Sequence, residues 1–256
     1  MRLARAIASY SNQAINEARP LLSAFLPDED RIQIVVPPAT SKGTVSVTIR
    51  KPSSVTLTLD DLEAGGLFSH VSSPNRSVES SNTKLDKILK ASNYATFLRA
   101  AVLALKNIII SGATGSGKTA LSKALIWDIP EHERIISIED TPELVISQLN
   151  HVRLFYSKGG QKLAKISAKD LLESCLRMRP DRILLQELRD GSAFHHIRNV
   201  NSGYPGSITT VHDDSAALRF EHRTEVVTLS AAIFIVWSMS RSISLSSASG
   251  STGGFG

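Results

Sequence analysis

The sequence predicts an α/β fold, a mostly parallel sheet flanked by helices over residues 84–219, behind a small α+β region over residues 1–72. Short apolar runs alternate with helical patterns between Leu85 and Leu218, the signature of successive βα units. One βα junction carries the glycine-rich octet Gly112-Ala113-Thr114-Gly115-Ser116-Gly117-Lys118-Thr119 between an apolar run and a helical stretch. Before residue 60 the apolar residues instead alternate in short pieces with a period of two.

In chain order, Leu3, Ile7, Tyr10 and Ala14 recur at helical spacing and predict an opening helix. Arg31–Val36 reads as a strand closed by Pro37-Pro38. Thr44–Arg50 alternates strictly, so Val45, Val47 and Ile49 are expected on one half-buried face. Val55, Leu57 and Leu59 repeat that pattern, and Asp60 is expected to cap a short helical turn. Residues 73–83 are polar, Ser-rich and contain Pro74, which reads as a linker or as an ordinary surface loop. The expected strands of the α/β region are Asn107–Ser111, Arg134–Glu139, His151–Phe155, Arg182–Gln186 and Ser207–Thr210. Helices are expected over Thr119–Trp127 and Ser167–Met178, the latter with Ser167 as N-cap and Asp170 three residues on. Residues 220–256 form an atypical tail, expected to be disordered or foreign to the fold, because Ser238–Gly256 is Ser/Gly-rich without an amphipathic period. Val226–Ser240 lacks charge but falls short of the roughly 20 residues of a membrane span, so it reads as a buried or misplaced segment.

Composition narrows the class. With 256 residues, 42% apolar and 21% charged, the chain is a globular mixture and not a disordered one. The net charge of +5 permits contact with nucleic acid or an anionic membrane without demanding either. The single cysteine, Cys175, excludes an intramolecular disulfide and any multi-cysteine zinc site. Residues 1–20 hold basic residues but no continuous apolar core, which argues against a secretory signal; with no acid before Glu17, a transit peptide is the alternative.

The octet satisfies G-x-x-x-x-G-K-[ST] and points to phosphate binding. Glycines let successive backbone N–H groups turn toward phosphate oxygens, and the helix N-terminus adds a favourable dipole. Lys118 is placed to reach the terminal phosphates and the Thr119 hydroxyl to hold Mg²⁺. Two strand ends supply acids: Glu139 as candidate general base or water-positioner, and Glu187 as candidate metal-side acid acting through water. In an open α/β sheet both strand ends face one crevice beyond the carboxyl ends of the strands. His212 ends a further apolar strand at the same edge and joins the candidates.

Together these motifs resemble the traffic ATPases of bacterial type IV secretion systems, within the wider secretion ATPase superfamily. The resemblance rests on the phosphate loop, the acidic box Ile138-Glu139-Asp140-Thr141-Pro142-Glu143-Leu144, the segment Arg179–Arg189, and the histidine box Gly206–His212, in the family's order. It covers roughly residues 1–217. The resemblance implies a RecA-like ATPase domain behind an N-terminal domain, nucleotide held between the two, and a hexameric ring. It implies ATP and Mg²⁺ as ligands, and a motor energising export of protein or DNA and pilus assembly. Implied partners are inner-membrane secretion components, met at the cytoplasmic face of that membrane. Arg50, in Thr48-Ile49-Arg50-Lys51-Pro52, looks like the family's N-terminal-domain arginine, and Arg179 like the arginine beside the terminal phosphate.

The chain also departs from the family. It enters the N-terminal domain in its middle, so that domain is expected to be incomplete, and the helices that complete the ATPase domain have no counterpart in residues 220–256. Asp213 stands where a small residue is usual, and Tyr204 where histidine is common. A truncated or frameshifted gene is one reading of the two ends, and an inactive nucleotide-binding remnant is the matching alternative function. A related type IV pilus or type II secretion motor is the other alternative; the single cysteine argues against the type II version that carries a tetracysteine module.

Overall fold

In a computed structural model of the chain, the described residues are 1–28, 30–51, 55–69, 71–72, 83–113, 115–156, 166–188, 204–211, 232–237 and 243–248. They divide into two compact units, Met1–Val55 with Tyr156–Ser167, and Thr56–Phe155 with Ala168–Gly256. The boundary thus falls at Val55/Thr56, earlier than the residue 72 expected from sequence.

The first unit is a helix on a three-stranded antiparallel sheet. Helix α1 (Arg2–Tyr10) precedes strands β1 (Leu21–Phe25), β2 (Arg31–Val35) and β3 (Ser46–Arg50), in sheet order β1-β2-β3. Leu22, Ala24, Ile32 and Ile34 form its buried face and cluster with Ala4, Ile7 and Ala8 of α1. The helix therefore buries the i, i+3, i+4 stripe at 4, 7 and 8, and leaves Leu3 and Tyr10 of the expected stripe exposed. Strand β1 is not expected from sequence, because its five residues, within the six between Pro20 and Pro27, carry too few alternations to register. Strand β3 forms as expected but is not half-buried: all five residues are exposed, Val47 at 42% and Ile49 at 51%. The register explains it. Val47 pairs with Ile34 and Ile49 with Ile32, so both lie on the core face, but α1 packs over β1, two strands away.

In the second unit, the third run of alternation is not a strand. Thr58 opens α2 (Leu59–Ala64) through a capping box: its hydroxyl accepts from the Asp61 N–H at 3.1 Å, and Asp61 Oδ2 accepts from the Thr58 N–H at 2.9 Å. Thr58, not Asp60, is the cap, since it alone has a carboxylate three residues on that reaches back. After β4 (Val71–Ser72), α3 (Thr83–Lys90) begins at the last residue of the expected linker, whose residues 73–82 lie outside the described ones. Helix α4 (Tyr94–Leu103) starts at Asn93, whose Oδ1 accepts from the Thr96 N–H, and buries Ala95, Phe97, Leu98, Ala101 and Val102.

The expected α/β strands all form, within one or two residues: β5 (Asn107–Gly112), β6 (Ile135–Glu139), β7 (His151–Phe155), β8 (Arg182–Leu185) and, after the two-residue β9 (Glu187–Leu188), β10 (Ile208–Val211). Helices α5 (Lys118–Trp127) and α6 (Ala168–Cys175) intervene; α6 stops three residues short of the expected Met178. Strands β7-β6-β8 pair in parallel, and so do β9-β10-β5. The segment 182–188 links the two sets, pairing first with β6 and, past Gln186, with β10. Every residue of β5, β6 and β8 is buried, as parallel strands covered on both faces require. The core joins Phe97, Leu98 and Val102 of α4 and Leu121 and Leu125 of α5 to Ile108 and Ile110 of β5, Ile135 of β6, Leu184 of β8 and Ile208 of β10.

The tail differs from expectation. Within it β11 (Ala232–Trp237) pairs in parallel with β5, β12 (Ile243–Ala248) returns antiparallel to β11, and β4 pairs with β12. Ala-Ile-Phe-Ile-Val-Trp is a short continuous apolar run, the pattern of a strand buried in a sheet, and it lies before the Ser/Gly-rich stretch from Ser238. The remainder of residues 220–256 lies outside the described residues.

Two buried groups make the packing testable. Arg182 is wholly buried: it pairs with Glu133, and it donates from Nη2 to the Val102 carbonyl at 3.0 Å and from Nη1 to the Gly206 carbonyl at 3.3 Å. Gly206 has φ +84°, and a Cβ there would stand 2.8 Å from Arg182 Nη1 and 3.0 Å from Leu105 Cδ2. Gly206→Ala is expected to lower stability by about 2 kcal/mol, from a strained φ and a displaced buried guanidinium, read as a lower urea midpoint with unchanged slope. Burial pushes the Cys175 thiol up to about 11, so at pH 8 almost none is thiolate. Alkylation of the native protein at pH 8 is expected to be slow and to become fast on adding denaturant; fast labelling of the native protein would refute this placement.

Candidate functional site

The phosphate-loop motif begins at the last residue of β5 and runs into α5. The turn needs left-handed backbone: Gly115 has φ +81° and Gly117, the N-cap residue of α5, has φ +93°. Lys118 is 6% exposed, and its Nζ donates to the carbonyls of Gly112 at 2.5 Å and Ala113 at 2.6 Å, so its ammonium is folded across the mouth of the loop. Helix α5 has no side-chain N-cap and no acid in its first turn. Its N-terminus therefore keeps backbone donors and a positive dipole end. Ser116 Oγ is buried without a hydrogen-bond partner among the described residues, and Thr119 is exposed. A buried orphan hydroxyl, an uncapped helix start and a lysine at one turn fit a phosphate group, with Thr119 open to a cation beside it. Thr114 lies outside the described residues.

The parallel register brings Glu187 to the same end of the sheet. Ser111 is level with Val211, and Thr210 with Glu187, so Glu187 lies two strands from β5 near the carboxyl ends. Its side chain is half-buried. His212 directly follows β10 but lies outside the described residues.

Glu139, at the end of β6, is fully buried and heavily engaged. Oε1 accepts from Ser137 Oγ at 2.8 Å and Arg153 Nε at 3.1 Å; Oε2 accepts from the Glu143 and Leu144 N–H groups at 2.9 Å each and from Arg153 Nη2 at 3.3 Å. The Arg153 guanidinium also lies over the Phe155 ring at 5.4 Å. In this arrangement Glu139 folds the acidic box into a turn, and acting on water requires its Arg153 contact to open.

Arg179 is not brought to the loop. Arg179, exposed with φ +52°, precedes β8, where Arg134 Nε donates to the Met178 carbonyl at 3.1 Å. That is the amino end of the strands, and six residues of β5 span about 20 Å between the two edges. Arg50 ends β3 in the other unit, exposed and level with Arg31.

Sequence reasoning passed over Arg153 and Gln186. Arg153 is level with Ser137, and Ser137 and Glu139 alternate on one face of an otherwise apolar strand. Polar residues sharing one face of adjacent buried strands are a legible sign of a buried polar pair, provided the strand pairing is known. Gln186 was read as the end of a strand; its contacts run to both neighbours, and no spacing rule marks it.

The sequence matches the family described as Type II/IV secretion system protein over residues 2–224. It is 55% identical over 238 residues to the type IV secretion system protein VirB11 of Bartonella quintana (strain Toulouse), covering 89% of this chain and 67% of that protein. It is 47% identical over 222 residues to VirB11 of Brucella suis biovar 1 (strain 1330), covering 86% and 62%. The crystal structure of the VirB11 ATPase from the Brucella suis type IV secretion system, in complex with sulphate, superposes with a TM-score of 0.51 at 47% identity, over 86% of this chain and 63% of that one. The pilus retraction motor PilT with bound ADP gives a TM-score of 0.56 at 17% identity, over 91% and 64%, and shares the fold. The chain thus spans roughly two thirds of the length of these relatives, with a mixed helix and sheet fold like theirs. No helix among the described residues is long and apolar enough to cross a membrane. By family match and by identity the chain belongs to the type II/IV secretion system proteins and, among them, to the type IV secretion ATPases of the secretion ATPase superfamily.

Proposed function

We propose that this chain hydrolyses ATP at the Gly112–Thr119 loop and so energises type IV secretion. The observation that supports it is the loop itself, where a buried lysine, an uncapped helix N-terminus and an orphan Ser116 hydroxyl meet at one turn. On binding, the backbone N–H groups of the loop take phosphate oxygens, and Lys118 exchanges the Gly112 and Ala113 carbonyls for charge-assisted bonds to phosphate. Thr119, and Glu187 through water, would hold Mg²⁺, whose chemistry here is to neutralise charge on the terminal phosphate oxygens. Glu139 positions the attacking water once it is released from Arg153. His212, the residue that follows β10 in sequence, is the remaining candidate of this proposal.

The RecA-like character of the second unit, and the reading of the first as an incomplete N-terminal domain, belong to this proposal. So do a hexameric ring, inner-membrane secretion partners, a place at the cytoplasmic face, and exported protein or DNA as cargo. Arg50 would contribute from the N-terminal domain. Arg179 lies at the strand edge away from its own loop, so its contact with a terminal phosphate would come from an adjacent copy. A guanidinium suits the charge that develops on a transferring phosphoryl group.

The test is steady-state Mg²⁺-dependent ATP hydrolysis by the chain beside its Lys118→Ala variant. The parent is expected to turn over and Lys118→Ala to fall to background with an unchanged circular dichroism spectrum. Hydrolysis retained by the variant would overturn the assignment of the loop.

A further inference from the structure

We propose that Gln186 is a positioning residue, whose side-chain amide locks the acidic turn 139–144 to the strand end that carries Glu187. The proposal rests on the hydrolysis proposed for the Gly112–Thr119 loop and names what keeps the two acids of that site in register.

Gln186 sits where the segment 182–188 changes partner. Its N–H donates to the Ile138 carbonyl at 3.0 Å, on the β6 side. Its carbonyl accepts from the Thr210 N–H at 3.3 Å and Thr210 Oγ1 at 2.8 Å, on the β10 side. The side chain then crosses to the acidic turn. Oε1 accepts from the Asp140 N–H at 3.2 Å, and Nε2 donates to Glu143 Oε2 at 2.8 Å. Glu143 in turn gives its N–H to Glu139 at 2.9 Å. A continuous chain of hydrogen bonds therefore runs from the residue before Glu187 to the Glu139 carboxylate.

The residue type suits the task. A primary amide offers an acceptor and a donor a fixed distance apart, and here one meets a backbone donor and the other a carboxylate. A carboxylic side chain would set like charge against Glu143, and an apolar one would leave the Asp140 N–H and Glu143 without these partners. Gln186 is 9% exposed, so water competes little for these bonds. It touches neither the loop nor Lys118 among the described contacts, so nucleotide affinity is expected to be independent of it while turnover is not. Small misplacement of reacting groups costs rate far more than binding.

The test uses the full chain, Gln186→Met, Glu143→Ala and the double variant. Gln186→Met keeps the length and volume of the side chain and loses both bonds. It is expected to lower kcat at least about tenfold, to leave affinity for a non-hydrolysable ATP analogue unchanged, and to raise amide hydrogen exchange at Asp140. The double variant is expected to be no slower than Gln186→Met, because both changes break one link. A purely structural role would lower Tm and leave kcat unmoved. An unchanged kcat, affinity lost in step with kcat, or additive effects in the double variant would overturn the proposal. Should the parent itself show no hydrolysis, the proposed function falls, and amide exchange still decides: unaltered protection at Asp140 in Gln186→Met overturns the link, and raised exchange upholds it.

Discussion

The candidate site depends on the shared register of three parallel strands. Because β9, β10 and β5 run the same way, each delivers its carboxyl end to one edge of the sheet. The phosphate-loop motif starts as β5 ends, Glu187 stands two strands away, and the chain leaves β10 immediately before His212. A slip of one residue in either pairing would turn Glu187 to the opposite face of the sheet, since side chains alternate with a period of two. The complete burial of β5 guards against such a slip, because every residue of that strand is packed.

Burial on that scale imposes a second condition, that any polar group inside must be paired. Three clusters meet it. Glu139 has Arg153, Ser137 and two backbone donors. Arg182 has Glu133 and two backbone carbonyls, at the other end of the strands. Asn107 Oδ1 accepts from the N–H groups of both Gly206 and Ser207, and so fixes the entry to β10 beside the entry to β5. Each cluster joins elements distant in sequence, and each fixes where a strand starts or ends. Ser116 Oγ, like Thr209 Oγ1 within β10, is buried without a partner among the described residues, and of the two it is Ser116 that stands at the start of α5.

The two units differ in how fully their apolar residues are used. The second buries β5, β6 and β8 on both faces. The first has one helix over a three-stranded sheet, and its outer strand keeps Val47 and Ile49 exposed on the same face as the buried Ile34 and Ile32.

Local chemistry was legible in the sequence by itself. The glycine pattern of the loop, the five main strands of the α/β region and the family all follow from spacing and order along the chain, because a phosphate loop and a buried strand are each specified within about ten residues. What joins distant segments was decided only by the tertiary structure. Glu139 as the buried partner of Arg153, Gln186 as the link between two strand sets, Arg179 at the edge away from the loop, and the pairing of Ala232–Trp237 with β5 all depend on which strand lies beside which. The helix stripe at Ala4, Ile7 and Ala8, and the exposure of β3, depended in the same way on where α1 packs. A hydrogen bond or a buried face is a property of two surfaces, and a periodic pattern in one segment describes only one of them.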